Sequence, residues 1–234
     1  MSVSKRNVFA TVYYPATDGN PMAETDAHRQ LMVDLIEALK NFVAGEADVY
    51  VSGNLLLYYE EGNNQKSVAP DVFVVRGVSK HQRRVYKLWE ENHAPNLVIE
   101  VSSNDTKKKD LGEKKDLYAR FGVNEYFIFD PDYKLKPPFR AFRLSGGRYI
   151  DLAVTGGRAR SDELGLELVD TGQTLRLLNP QTGQFLLTPE EEAEALREAA
   201  IRADQAEERA DQAEERAAFL AARLRELGID PDQI

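Results

Sequence analysis

Apolar residues change their spacing several times along the chain, and each change marks an element. From Thr25 to about Asn41, the residues Leu31, Met32, Leu35, Ile36 and Leu39 recur at helical spacing, which predicts an amphipathic helix capped by Thr25 or Asp26. Residues 47–59 are rich in β-formers and predict one or two strands with a bend at Gly53 and Asn54. After the polar turn 60–66, residues 68–75 give another strand, with Pro70 tolerated at its start and Asp71 at its mouth. The charged stretch 77–92 carries Val85, Tyr86, Leu88 and Trp89 on a short helix, with Trp89 as a packing residue. Leu97–Val101 is an apolar, β-branched run between Pro95 and the polar residues 102–105, and reads as a strand buried on both faces.

A helix follows, with Asp110 as its cap, Glu113 three places on as in a capping box, and Gly122 just past its end. Residues 126–130 form the next strand, and a strand, helix, strand unit of this length favours a parallel crossover. Residues 142–144 and 149–152 flank Ser145, Gly146 and Gly147 as a hairpin. Residues 164–169 and 175–187 supply short strands, suited to a small sheet over the core.

After Pro189 the pattern becomes heptad. ADQAEER occurs twice in tandem, at 203–209 and 210–216. Leu196, Ala199, Ala203, Ala206, Ala210, Ala213, Ala217, Leu220, Leu224 and Leu227 alternate three and four residues apart. A coiled-coil helix over 190–227 is expected, of about 57 Å at 1.5 Å per residue, and homodimerisation through it is favoured over folding back on the body. The expected layout is an irregular arm over 1–24, a body over 25–188, and a coiled-coil helix with an acidic tail over 189–234.

Composition narrows the chemistry. At 234 residues the chain can bury a full core. The absence of cysteine excludes disulfides, thiolate metal sites and a cysteine nucleophile, and the three histidines lack zinc-ligand spacing. No membrane span or signal peptide is legible, so a soluble, cytoplasmic protein is expected. Residues 189–234 carry −8 of the net charge of −9, which leaves the body near neutral. That is not the footprint of a protein gripping nucleic acid mainly through phosphates. Locally the balance differs: residues 80–121 hold ten Lys and Arg, among them Arg83, Arg84, Lys87 and Lys107–Lys109, against seven acids. A basic rim around an acidic centre and a solvated charged face both fit.

Three residues break the pattern. Glu100 interrupts a buried strand, where a carboxylate is costly unless paired, neutralised or bound to a cation. Lys114 falls near the centre of the apolar stripe Leu111, Leu117, Tyr118 and Phe121, so an ammonium points inward. Asp71 stands at the mouth of a neighbouring strand. Two such carboxylates can hold Mg²⁺ or Mn²⁺ with a lysine beside an attacking water. Glu100 and Lys114 can equally form a structural salt bridge, with Asp71 as a strand-end cap. His28, on the packed side of the first helix, reads as a hydrogen-bonded helix histidine.

The segments VAPDVFVV and APNLVIEVSS, the spaced Thr106 and Asp110, and EKKDLYARFGVNEYFIFDP resemble the Uma2 family of restriction-endonuclease-like proteins. That family is a domain of unknown function within the PD-(D/E)XK nuclease-like superfamily. The resemblance runs over about residues 25–170. It implies an α/β fold with a mixed sheet flanked by helices, and Mg²⁺- or Mn²⁺-dependent cleavage of phosphodiester bonds in DNA. It places the motif aspartate at Asp71 and the motif glutamate at Glu100, which with the Val101 carbonyl would bind the metal. The superfamily's lysine usually stands two residues after the glutamate, where this chain has Ser102. Lys114 is then its migrated equivalent, the residue to which the helical wheel points independently. Ser103 and Thr106 match positions that order the following loop, and Phe127 stands where many relatives have tryptophan. The rival expectation is a catalytically inactive nuclease-like interaction protein assembled through its coiled coil.

Overall fold

The structure, a computed structural model, describes residues 12–17, 25–103, 106–226 and 228. They fall into two units divided between Thr188 and Pro189. Most of the arm expected over 1–24 lies outside the described residues, as do residues 104–105, Leu227 at the end of the heptad seam, and the tail from 229 to 234.

The body runs α1 (Asp26–Phe42), β1 (Val49–Ser52), β2 (Leu57–Tyr58), β3 (Ser67–Val68), β4 (Val72–Arg76), β5 (Tyr86–Lys87), α2 (Leu88–Glu91), β6 (Leu97–Val101), α3 (Lys107–Leu111), α4 (Glu113–Phe121) and β7 (Glu125–Phe129). It continues through β8 (Phe139–Ser145), β9 (Arg148–Leu152), β10 (Arg158–Ser161), β11 (Leu166–Asp170), β12 (Leu175–Asn179) and β13 (Gln184–Phe185). Six strands form a mixed sheet in the order β1-β4-β6-β7-β8-β9. Its central pair, β6 and β7, is parallel and joined through α3 and α4, while the other pairs are antiparallel. Leu97 to Val101 and Glu125 to Phe129 are buried throughout, as strands covered on both faces must be.

Strand alternation sorts the core into two clusters. Val49, Val51, Val72, Val74, Leu97, Ile99, Phe127 and Phe129 point to the face covered by α1 and by the antiparallel sheet β10-β11-β12-β13, through Leu31, Leu35, Leu39, Leu166, Leu168, Leu175 and Leu177. Tyr50, Phe73, Val75, Val98, Tyr126 and Ile128 point to the other face, which holds Tyr118 of α4. Glu100 shares the parity of Val98, so it too lies on the face where α4 packs. Helix α1 forms where expected, and the Thr25 hydroxyl accepts from the His28 amide at 3.2 Å as its cap.

The single helix expected from Asp110 is instead two, broken at Gly112, whose φ of −120° and ψ of −94° leave the helical region. Asp110 is not a cap, and Glu113 opens α4 rather than completing a capping box. The reason is electrostatic: the Asp110 carboxylate is drawn into the interior by a hydroxyl and an ammonium, and an inward carboxylate cannot turn back to a helix terminus. Gly122, at φ +82°, ends α4 in the left-handed conformation that glycine adopts without strain.

A third sheet, β3-β2-β5, is built from two-residue strands. The second unit is α5 (Pro189–Glu226), a continuous 38-residue helix with no buried residue among those described. Among the described residues no helix is long and apolar enough to cross a membrane.

Candidate functional site

Glu100 sits on the central parallel pair with no solvent exposure. Both of its oxygens are engaged: Oε1 accepts from the Tyr118 hydroxyl at 2.6 Å and Oε2 from Lys114 Nζ at 2.8 Å. One turn of α4 separates Lys114 from Tyr118, so a single helix face supplies both donors. Lys114 also lies 3.1 Å from Asp110 Oδ1, and Asp110 Oδ2 accepts from the Ser102 hydroxyl at 2.8 Å. Asp71, just ahead of β4, crosses to β6, where its Oδ2 accepts from the Val101 amide at 2.8 Å. Its Oδ1 is 3.6 Å from His28 Nε2 on α1. Three elements of the body and the loop before β4 therefore converge where β6 ends.

The electrostatics are those of two acids in mutual repulsion. Burial pushes the Glu100 carboxyl well above the usual carboxylate range. The Lys114 charge works against that, and the neighbouring Asp71 and Asp110 carboxylates work with it. Asp71 moves the other way. Its burial favours the neutral acid, but the His28 imidazole 3.6 Å away, the Lys114 charge and the adjacent Glu100 carboxyl outweigh burial and hold it below its ordinary value. Lys114 is held above the usual lysine range: burial disfavours its charge, and Glu100, Asp110 and Asp71 together more than offset that. In this state Lys114 is an ammonium donor rather than a base.

Fully ionised and with His28 neutral, three carboxylates against one ammonium would carry a formal charge of −2, and burial together with that repulsion favours the protonated form of Glu100. A structural salt bridge accounts for one pair and leaves two acids over. Glu125 and Asp130 show how this body satisfies a buried acid that is only structural. Glu125 accepts from the Ser161 hydroxyl, the Asp162 amide and Arg143, and Asp130 from the amides of Asp132 and Leu135. Among the described residues neither pairs with a second buried carboxylate.

Among the described residues no group of three or more His, Asp or Glu side chains stands in coordinating geometry. A cation here would rest on the Asp71 and Glu100 oxygens, a backbone carbonyl and water. That donor set suits a hard divalent ion that keeps part of its hydration shell. The excess charge of the cluster fits the same ion. Solvent can approach through Asp71 and Lys114, whose side chains are 14% and 20% exposed.

Three participants have ordinary local uses in the sequence. His28 lies on the packed face of its helix, and it is the imidazole beside Asp71. Asp110 has the pattern of a cap, although its i,i+4 spacing from Lys114 is a visible pairing signal. Tyr118 belongs to an apolar stripe. Ser102, which stands where a lysine is usual in the resembled superfamily, holds Asp110 instead. Ser103 and Thr106 bond reciprocally, the amide of each donating to the other's hydroxyl at 3.0 and 3.2 Å. Arg83 is not part of a basic rim: it is buried against Glu91 in a bidentate pair and lies 4.3 Å over the Tyr50 ring.

Gly53 sets the position of Asp71. A Cβ there would collide with the Asp71 carbonyl oxygen and come within 2.6 Å of Ile36 Cδ1. Gly53→Ala is expected to cost about 1–3 kcal/mol through overpacking and to displace Asp71. Thermal unfolding and cation titration of the same variant check the two effects together.

A family model described as "Uma2: Putative restriction endonuclease" matches residues 14–176. No curated protein matches the chain. Among solved structures, one from Anabaena variabilis described as a "putative nuclease belonging to DUF820" is similar at 14% identity. It covers 62% of this chain and 76% of that one, with a TM-score of 0.46.

Proposed function

The chain belongs to the Uma2 family, and on that premise we propose that its body hydrolyses phosphodiester bonds in DNA with a divalent cation, Mg²⁺ or Mn²⁺, held by Asp71, Glu100 and the Val101 carbonyl. When bound, such a cation supplies charge neutralisation at the phosphate and makes water more acidic. The observation that carries the reading is the gathering of three carboxyls, Asp71, Glu100 and Asp110, around the single ammonium of Lys114 at the end of β6.

The chain's own residues divide the work. Asp71 and Glu100 present oxygens from the loop before β4 and from β6, and His28 and the Val101 amide hold Asp71 in place. Tyr118 and Lys114 fix the Glu100 carboxylate, and Asp110 fixes Lys114. Lys114, protonated, orients a water or phosphate oxygen by donation and offsets negative charge as it develops. A role as the base that deprotonates water is disfavoured by its raised pKa.

Lys108 and Lys109 are exposed on α3, next to Asp110 in the chain, and suit phosphate contacts along a DNA backbone. Replacing both with alanine is expected to weaken DNA binding equally across sequences and to lower the salt slope by about 2. Binding measured over a series of salt concentrations gives the slope, and an unchanged slope would remove these lysines from the interface.

Cleavage of supercoiled, linear and single-stranded DNA with Mg²⁺ or Mn²⁺ tests the proposal, with Glu100→Ala alongside. Cation-dependent products from the parent chain and none from the variant are expected. Equal products from both would reject the assignment. Cation binding without cleavage of any substrate would favour an inactive body that serves assembly.

A further inference from the structure

Helix α5 presents an exposed seam along its length. Leu196 and Leu220 are 66% and 52% exposed, and no described residue of α5 is buried. With Ala203 taken as position a of its heptad, Leu196, Ala210, Ala217 and Leu224 also fall at a. Ala199, Ala206, Ala213 and Leu220 fall at d. The flanking rows then separate by sign: position g holds Arg202, Arg209, Arg216 and Arg223, and position e holds Glu207 and Glu214.

That separation selects an orientation. In a parallel pair, each g side chain meets the e side chain of the next heptad on the partner. Arg202 then faces Glu207 of a second copy, and Arg209 faces Glu214, in both directions across the two-fold axis. An antiparallel pair sets g against g and e against e, arginine against arginine and glutamate against glutamate. Within its own helix Arg202 meets Glu198 at 3.8 Å, an exposed contact that leaves it able to reach a partner. We infer that α5 pairs in parallel and in register with a second copy of this chain, through the 196–224 seam, with the Arg202–Glu207 and Arg209–Glu214 rows setting direction.

The occupant is a second copy because the rows are self-complementary only in register with themselves. Two strands suit the seam better than three, since alanines let two backbones approach closely and would leave a void along a three-stranded axis. Ile201 and Phe219 lie off the seam and take no part. Parallel pairing brings the two Pro189 ends together, so the bodies preceding them in the chain are tethered at a common end and their effective concentration rises. The inference stands or falls independently of the nuclease reading.

The chain has no cysteine, so single-cysteine reporters in the full-length protein are clean. Ala199→Cys and Leu224→Cys lie near opposite ends of the seam. Under mild oxidation each variant alone is expected to form a disulfide-linked dimer of twice 26.4 kDa. Cross-linking only in a mixture of the two variants would establish an antiparallel pair and overturn the inference. A monomeric mass for the parent chain in sedimentation would overturn it as well. The charge rows have their own test: Arg202→Glu with Arg209→Glu should reduce the mass to that of a monomer. Mixing that variant with Glu207→Arg/Glu214→Arg should restore a heterodimer. A charge-reversed chain that stays dimeric alone would show that the rows do not set the pairing.

Discussion

Replacing Glu100 with alanine is expected to abolish both cation binding and cleavage, the latter by about 10³-fold or more. The magnitude follows from losing several kcal/mol of charge stabilisation at the phosphate, at a factor of ten for each 1.4 kcal/mol. Glu100→Ala also strands the Tyr118 hydroxyl and the Lys114 ammonium, both of which donate to Glu100. Glu100→Gln is the control for that, because its amide oxygen can still accept while it carries no charge. Calorimetric titration with Mn²⁺ and Mg²⁺ reads binding without any choice of substrate. Loss of heat in both variants, with unfolding still cooperative in the Gln variant, is the expected result. Heat unchanged from the parent would place the cation elsewhere.

The same titration has an expected pH dependence. Without a cation the Glu100 carboxyl keeps its proton above the usual carboxylate range, because burial and the Asp71 charge disfavour ionisation. Cation binding needs the ionised form, so it must release that proton. Below the pKa of Glu100 in the cation-free protein, affinity should therefore fall by about tenfold per pH unit, and above it should level off. Titrations in buffers of different ionisation enthalpy would reveal the released proton. Binding that strengthens as pH falls would contradict the ligand assignment.

Periodicity carried much of the fold. The buried run Leu97–Val101 was delimited residue for residue, since an apolar, β-branched stretch between Pro95 and a polar cluster leaves little freedom in its ends. The hairpin of β8 and β9 and the Thr25-capped α1 were legible as elements, because turn glycines and helix caps act locally, although β8 begins at Phe139 rather than at residue 142. Two-residue strands such as β2 and β5 are too short to leave a period, and their parallel pairing depends on contacts distant in sequence. At the site, Glu100 and Lys114 were visible as anomalies, charges in apolar patterns. His28 and Asp110 were not, because a histidine on a packed face and an aspartate before a helix each have an ordinary local use. Only the crossing of α1, β4 and β6 shows that His28 and the Val101 amide both meet Asp71.

Lys114→Met distinguishes a cation site from a salt bridge by its response to metal. Removing one member of a buried ion pair costs about 3–5 kcal/mol, reduced here to about 2–4 because the Lys114 side chain is 20% exposed. For a body of this size that corresponds to a loss of about 5–15 °C in melting temperature. The formal charge of the fully ionised cluster then falls from −2 to −3, which strengthens its attraction for a divalent cation. At a hundredfold excess over its dissociation constant, Mn²⁺ should return about 2.7 kcal/mol and recover much of the lost melting temperature. Cleavage should stay low, by about 10²–10⁴-fold, because the cation replaces the charge of Lys114 but not its positioned donor. If Glu100, Asp110 and Lys114 form only a structural ion-pair network, the melting temperature falls by the same amount and Mn²⁺ restores none of it. Two thermal scans of one variant therefore separate the readings before any DNA substrate is chosen.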